Sequence, residues 1–281
     1  MNTKVIYIIA IGIILVLVYG FIHKKFSDNG NGARTDPGFL VINTDKYLYT
    51  PGEEVYVQIT SLDGKGKTNC TSNLTLSVNY NGGLTDKPSI NLSPTCSNSN
   101  AQANNPDYYT YFKPSKEGNY KIVVLNEDNE DSAETEIVVA TNTLDLSVTR
   151  WSATKINANG INRYPMVITV KANNNFSGVI TDSIPSDFDF AWYGSATLTT
   201  GGSDKLTTGG SDKLTTGGSD EKRNIISWNV DLKEGETKEL KYEYIPQKGG
   251  KNSYLIGPVK ITSGISSVDA GNTWVVTLQS L

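Results

Sequence analysis

From Gly38 onward, apolar and polar residues alternate over runs of about five to eight, each bounded by Gly, Pro, Asn or Asp. Val55, Val57 and Ile59 show the pattern most plainly, because a period of two puts all three on one face of an extended chain. No stretch here repeats its apolar residues at the 3.6-residue spacing by which a helix buries one face. A chain patterned this way folds by pairing strands into sheets and covering one sheet with another. Composition agrees: 19% of residues are charged, Tyr reaches 15 and Gly 26, and Met falls to 2, a profile of β-rich proteins outside the cytoplasm.

The alternating runs fall into two series. The first predicts strands at 39–43, 54–61, 74–80, 107–112, 118–125 and 134–140, enough for one sandwich in about 100 residues. The second predicts strands at 144–151, 165–172, 177–183, 188–193, 225–232, 239–245, 254–261 and 274–278. The break at Thr141-Asn142-Thr143 is too short to let two units swing freely, so they are expected to stack end to end. Within the second series, Lys205 to Asp220 reads KLTTGGSD twice after a partial copy from Leu198 to Asp204. With one Leu per copy this repeat builds no core, and it reads as a lengthened loop spanning 198–220.

The N-terminus is patterned differently. Val5 to Ile22 is an uncharged apolar run of 18 residues, which as a helix reaches roughly 27 Å, just enough to cross a bilayer core of about 30 Å. It ends in Tyr19-Gly20-Phe21-Ile22-His23-Lys24-Lys25 rather than in the small residues of a cleavage site, and no Cys near its end offers a lipid anchor. Residues 1–25 are therefore expected to be an uncleaved signal anchor. Residues 26–37, rich in Gly, Asn and Asp, form a flexible stalk. Lys24 and Lys25 outnumber Lys4 across the run, a count that by itself favours a cytoplasmic C-terminal side. The composition and the two cysteines of the C-terminal part point outward instead, and that orientation is the expectation.

Charge and residue counts exclude several functions. With 25 Lys and Arg against 29 Asp and Glu, a net charge of −4 and no basic block, nucleic acid is not an expected partner. The single histidine, His23, removes His-based triads and two-His metal sites from the exported part.

Candidate site residues are few. Cys70 and Cys96 are the only cysteines, and in an oxidising compartment they are expected to form a disulfide. Asp128, Glu130 and Asp131 sit on an acidic turn between two predicted strands, and Asp182, Asp187 and Asp189 form a second acidic group. Either is a solvated turn or a weak calcium candidate, and neither has the spacing of an EF-hand loop. No other cofactor or metal is expected. Trp228 and Trp274 lie in alternating strands where a sandwich core needs bulk, whereas Trp192 and Tyr193, beside the repeat, are candidates for an exposed aromatic contact. Asn69, Asn73, Asn91 and Asn175 begin glycosylation triplets.

Two resemblances add to this reading. Lys46-Tyr47-Leu48-Tyr49-Thr50-Pro51-Gly52-Glu53-Glu54-Val55, with Gly118-Asn119-Tyr120-Lys121-Ile122-Val123-Val124 later, resembles the macroglobulin-type or Ig-like surface sandwich domain. No Cys-Gly-Glu-Gln stretch occurs, so thioester chemistry is not implied. Val179 to Pro185 with Phe188, and Ile226-Ser227-Trp228-Asn229-Val230 with Leu232, Gly235-Glu236 and Leu240, are similar to the conserved repeat of unknown function in bacterial and archaeal surface adhesins. That second resemblance implies an Ig-like sandwich in a surface protein and no activity.

The expected fold is thus all-β, with two Ig-like antiparallel β-sandwich domains in tandem, 38–140 and 144–281, behind one N-terminal transmembrane helix. The expected role is a non-catalytic, membrane-anchored cell-surface protein serving adhesion or envelope structure. Its partners would be the membrane, through Val5 to Ile22, and another surface protein or a glycan. Two alternatives stand beside it: a subunit of a surface filament or secretion complex assembled through the N-terminal helix, and a small extracytoplasmic enzyme with a His-free site.

Overall fold

A computed structural model describes residues 38–97, 105–141, 144–157, 161–186, 188–192, 196–202, 223–247 and 253–279. The alternating runs become strands. In the first half these are β1 (Phe39–Thr44), β2 (Leu48–Tyr49), β3 (Val55–Leu62), β4 (Leu74–Tyr80), β5 (Gly83–Asp86), β6 (Asn91–Leu92), β7 (Tyr108–Phe112), β8 (Gly118–Asn126) and β9 (Ser132–Val139). In the second half they are β10 (Leu146–Ser152), β11 (Lys155–Asn157), β12 (Tyr164–Ala172), β13 (Phe176–Pro185), β14 (Phe188–Trp192) and β15 (Thr197–Gly202). The series closes with β16 (Arg223–Leu232), β17 (Thr237–Pro246), β18 (Ser253–Ile256), β19 (Lys260–Ser263), β20 (Ser266–Asp269) and β21 (Trp274–Gln279).

The first half pairs into two sheets, β1-β3-β7-β6 and β2-β9-β8-β4-β5. Inward residues of both, among them Val55, Val57, Ile59, Ile122, Val124 and Ile137, share one apolar core. The second half forms β10-β12-β17-β14 and β15-β16-β13-β19-β20, with a smaller sheet β11-β21-β18. These three sheets enclose a second core that includes Met166, Ile168, Ile180, Tyr242, Trp228 and Trp274. At about 25 cal/mol per Å2 of apolar surface removed from water, each such core is the main force holding its sheets together. We call the two halves lobes; both lie within a single compact unit, Asp36–Leu281.

The structure departs from the expected pattern in three places. The pairing is not wholly antiparallel, since β2 runs parallel to β9 and β11 parallel to β21. The run 254–261, expected as one strand, is cut into β18 and β19 by Gly257-Pro258. Gly257 adopts φ +98° and Pro258 offers no N–H to a ladder. Six short strands, β2, β5, β6, β11, β15 and β20, were not expected, and β15 corrects the loop expected at 198–220, because Thr197–Gly202 pairs with β16 as a strand. Among the described residues no helix is long and apolar enough to cross a membrane. The apolar run Val5 to Ile22, the stalk and the repeat 205–220 lie outside the described residues.

Candidate functional site

The sheet β1-β3-β7-β6 has one face toward its own core and one turned away from it, and the outer face is built by register. Tyr56 stands opposite Tyr111 and Gln58 opposite Tyr109, while on the other side Asn43 faces Gln58 and Val41 faces Thr60. Period-two alternation therefore puts Tyr56, Tyr109, Tyr111, Asn43 and Thr60 on one surface. That surface splits into an open end and a covered end.

The open end is a tyrosine patch. The rings of Tyr56 and Tyr111 stack with centroids 5.0 Å apart, and Tyr109 meets Tyr111 edge-on at 5.9 Å. Tyr111 remains 46% exposed. Partial burial, then the neighbouring phenols of Tyr111 and Tyr109, push the Tyr56 hydroxyl up to about 12.

The covered end meets the second lobe through polar groups. Asn43 Nδ2 donates to Val275 O at 2.9 Å, and Val275 N donates back to Asn43 Oδ1 at 2.8 Å. The Arg150 amide on β10 donates to Asp45 O at 2.8 Å, and Thr60 and Thr154 share a hydroxyl hydrogen bond. Asn272 Nδ2 reaches Lys46 O at 3.1 Å and also Thr44. Asp45 further accepts from the Tyr49 hydroxyl at 2.7 Å; burial raises its carboxyl above the ordinary value although Tyr49 and Lys46 oppose the shift.

At the far edge of this seam lies an ion pair sealed from water. Lys155 Nζ contacts Asp107 Oδ1 directly and donates to Thr68 Oγ1 at 3.0 Å. Both charged side chains are 0% exposed. Asp107 Oδ2 has no hydrogen-bond partner among the described residues, and desolvation raises its carboxyl despite the adjacent Lys155. The Cys70–Cys96 disulfide is present beside it, with Cys96 Sγ 3.6 Å from Asp107 Oδ1. With the cysteines 26 positions apart in sequence, the loop-entropy model gives it about 3 kcal/mol.

The acidic candidates are placed as follows. On the turn after β8, Asp128 accepts from Asn73 N at 2.9 Å and Asp131 from Asn129 Nδ2 at 2.7 Å, so both carboxylates bind neighbouring amides. Glu130 occupies the left-handed region at φ +62°. Asp182 and Asp189 are not brought together. Asp182 is buried beside Ile180 and Ile184, accepting from Arg150 Nη2 at 2.7 Å and the Tyr242 hydroxyl at 2.6 Å, while Asp189 is exposed. Asp187 and Tyr193 lie outside the described residues. Trp192 ends β14 opposite Tyr242 in the ladder. No group of three His, Cys, Asp or Glu among the described residues is arranged to hold a metal ion. Trp228 and Trp274 are buried in the second core, at 3% and 1% exposure.

Neither the tyrosine patch nor the Lys155–Asp107 pair is among the residues expected from the sequence. A signal for the patch was present, because Tyr109 and Tyr111 alternate with the inward Tyr108 and Phe112. Nothing local links Lys155 to Asp107, which are 48 positions apart and on different lobes.

Comparison with known proteins adds likenesses of low score. No protein-family model matches the chain, and no curated protein matches it. Among solved structures it is similar to trypsin-activated alpha-2-macroglobulin from Escherichia coli, with 12% identity and a TM-score of 0.30 over 89% of this chain and 16% of that one. It is similar to the major pilin subunit of Bacillus cereus, with 11% identity and a TM-score of 0.31 over 86% of this chain and 70% of that one. The D0-D1 domain of intimin gives 12% identity and a TM-score of 0.33, covering 86% of this chain and all of that one. The chain thus spans about one-sixth of the macroglobulin's length. These likenesses carry no function over to it.

Proposed function

We propose that this chain is a membrane-anchored cell-surface protein whose two β-sandwich lobes act together as a non-catalytic module for adhesion or envelope structure. The observation that carries the proposal is the buried polar seam. Asn43, Asp45, Thr60 and Asp107 on one lobe engage Val275, Arg150, Thr154 and Lys155 on the other. A seam of this kind transmits a pull or a contact from one lobe to the next instead of letting them move apart. The disulfide supports an extracytoplasmic site, and Val5 to Ile22 supplies the anchor. The buried Asp182 and Asp107 are committed to Arg150 and Lys155, which speaks for structure rather than acid–base chemistry. For a protein or glycan partner, the tyrosine patch offers amphipathic, low-entropy rings on an open face.

The test is protease shaving of intact cells, followed with an antibody against the second lobe. The proposal predicts loss of the epitope without lysis. Survival of the epitope until the membrane is broken, in cells stripped of any outer layer, would overturn it.

A further inference from the structure

The Cys70–Cys96 disulfide, itself half-exposed, backs directly onto the sealed ion pair. The socket that receives Lys155 has two walls. One is the segment 68–72, where Thr68 Oγ1 accepts from Lys155 Nζ; Asn69 N donates to Ser61 O at 2.8 Å, and the hydroxyls of Ser61 and Ser72 are 2.7 Å apart. The other is made by Ser93, Cys96 and Asp107, where Ser93 N donates to Asp107 O at 2.8 Å and Cys96 Sγ rests on the Asp107 carboxylate. The Tyr108 hydroxyl links the walls by hydrogen bonds, accepting from Ser72 N and donating to Asn69 O, both at 2.9 Å. Their direct covalent tie is the disulfide.

The ion pair depends on both walls. An ammonium and a carboxylate taken wholly out of water are held together only while their geometry is enforced, because desolvation opposes them. Asp107 Oδ2 lacks a hydrogen bond among the described residues although the Ser61 backbone faces the carboxylate, so the compensation of this pair is incomplete. The remaining seam is independent of the socket: Asn43 with Val275, and Asp45 with Arg150, engage neither wall.

We propose that the Cys70–Cys96 disulfide is the latch of the socket, so that the redox state of this bond sets whether the first lobe grips Lys155. Reduction by a dithiol delivers two electrons and two protons, turning the S–S bond into two thiols while the dithiol closes to its own disulfide. The walls then separate, Lys155 and Asp107 regain water, and β11 loosens at that end while the β1–β21 end stays joined. A chain made in a reducing compartment would carry an open socket and close it on reaching an oxidising one; that consequence rests on the surface location proposed above, whereas the coupling itself does not.

The experiment is timed acylation of lysines on the purified full-length chain in mild detergent, before and after reduction with a dithiol, read peptide by peptide by mass spectrometry. Exposed Lys65 serves as the internal reference, and hydrogen exchange at the Val275 amide reports the rest of the seam. Reduction is expected to raise the acylation rate of Lys155 at least tenfold with Val275 still protected. The Cys70→Ser/Cys96→Ser variant is expected to do the same without reductant. Lys155 equally sealed in both states would overturn the proposal. Lys155 and Val275 opening together would overturn it as well, since the disulfide would then uphold the lobe as a whole.

Discussion

The two lobes fasten their loops by opposite chemistry. The first keeps Tyr56, Tyr109 and Tyr111 on an outer face and ties its loops with a disulfide between half-exposed cysteines. The second buries Tyr164, Tyr242, Tyr244 and Tyr254 and ties its loops with two arginines. Arg150 donates to Asp182, to Ile256 O at 3.0 Å and to Asn272 O at 2.7 Å. Arg223 donates to Ser183 O at 3.1 Å and to Leu255 O at 2.8 Å. Gly257 fits this arrangement because a Cβ there would stand 2.3 Å from Arg150 Nη1. A covalent tie responds to redox conditions; a buried guanidinium holds irrespective of them but tolerates no loss of its partner.

The contrast is open to attack first through Asp182. Asp182→Ala leaves the Arg150 charge buried without its carboxylate and is expected to cost the second lobe about 3–5 kcal/mol. All four tryptophans lie between positions 151 and 274, so tryptophan fluorescence in urea reads that lobe alone. An unchanged midpoint would show that Arg150 is held by the carbonyls of Ile256 and Asn272 and not by the carboxylate. Next in size, Cys70→Ser/Cys96→Ser should lower the stability of the first lobe by about 2–4 kcal/mol. Amide exchange in β4 and β8 would register the loss, with the tryptophan midpoint moving far less. Comparable shifts in both readouts would mean that the lobes unfold as one and that the contrast is only one of decoration.

How much of this was legible in the sequence follows from the range over which each signal acts. Alternation is local, so β3, β8, β12 and β16 were visible as strands and their inward residues as core. Alternation also placed Ile180, Asp182 and Ile184 on one face, which could have withdrawn Asp182 from a surface acidic group. The break at Gly257 was legible but overridden by the alternation around it: Gly257-Pro258 interrupts Tyr254 to Ile261, and Pro258 has no N–H for a ladder. The Lys155–Asp107 pair was hidden for a different reason. A buried charge is recognised by its partner, and here the partner sits on the other lobe.

Smaller effects sharpen the comparison at the tyrosines. Tyr111→Ala removes a stacked ring from the open patch and should cost about 0.5–1.5 kcal/mol, read by thermal unfolding. On the adhesive role proposed above, binding to a surface partner should fall far more than stability does. A loss of several kcal/mol would instead make the patch part of the core. The smallest effect is in the alkaline limb. Tyr56, raised to about 12, holds its proton more tightly folded than unfolded. The stability it contributes is complete below about pH 10. It is lost as pH rises through 12. Burial also raises Tyr242 well above its ordinary value, with the carboxylate of Asp182 adding to the shift. Ultraviolet titration should therefore show Tyr56 ionising in the folded protein and Tyr242 only on unfolding; simultaneous ionisation would erase the distinction between an outer and a buried set.

The account depends most on the seam that joins the lobes, and hydrogen exchange at two amides measures it directly. The Arg150 N–H bonds to Asp45 O and the Val275 N–H to Asn43 Oδ1, each across the junction. If the seam joins the lobes in the folded protein, both amides exchange no faster than core amides of the less stable lobe, such as those of Ile122 or Ile168. Exchange of both within seconds, with the cores still protected, would contradict the seam and leave two sandwiches joined only by their chain.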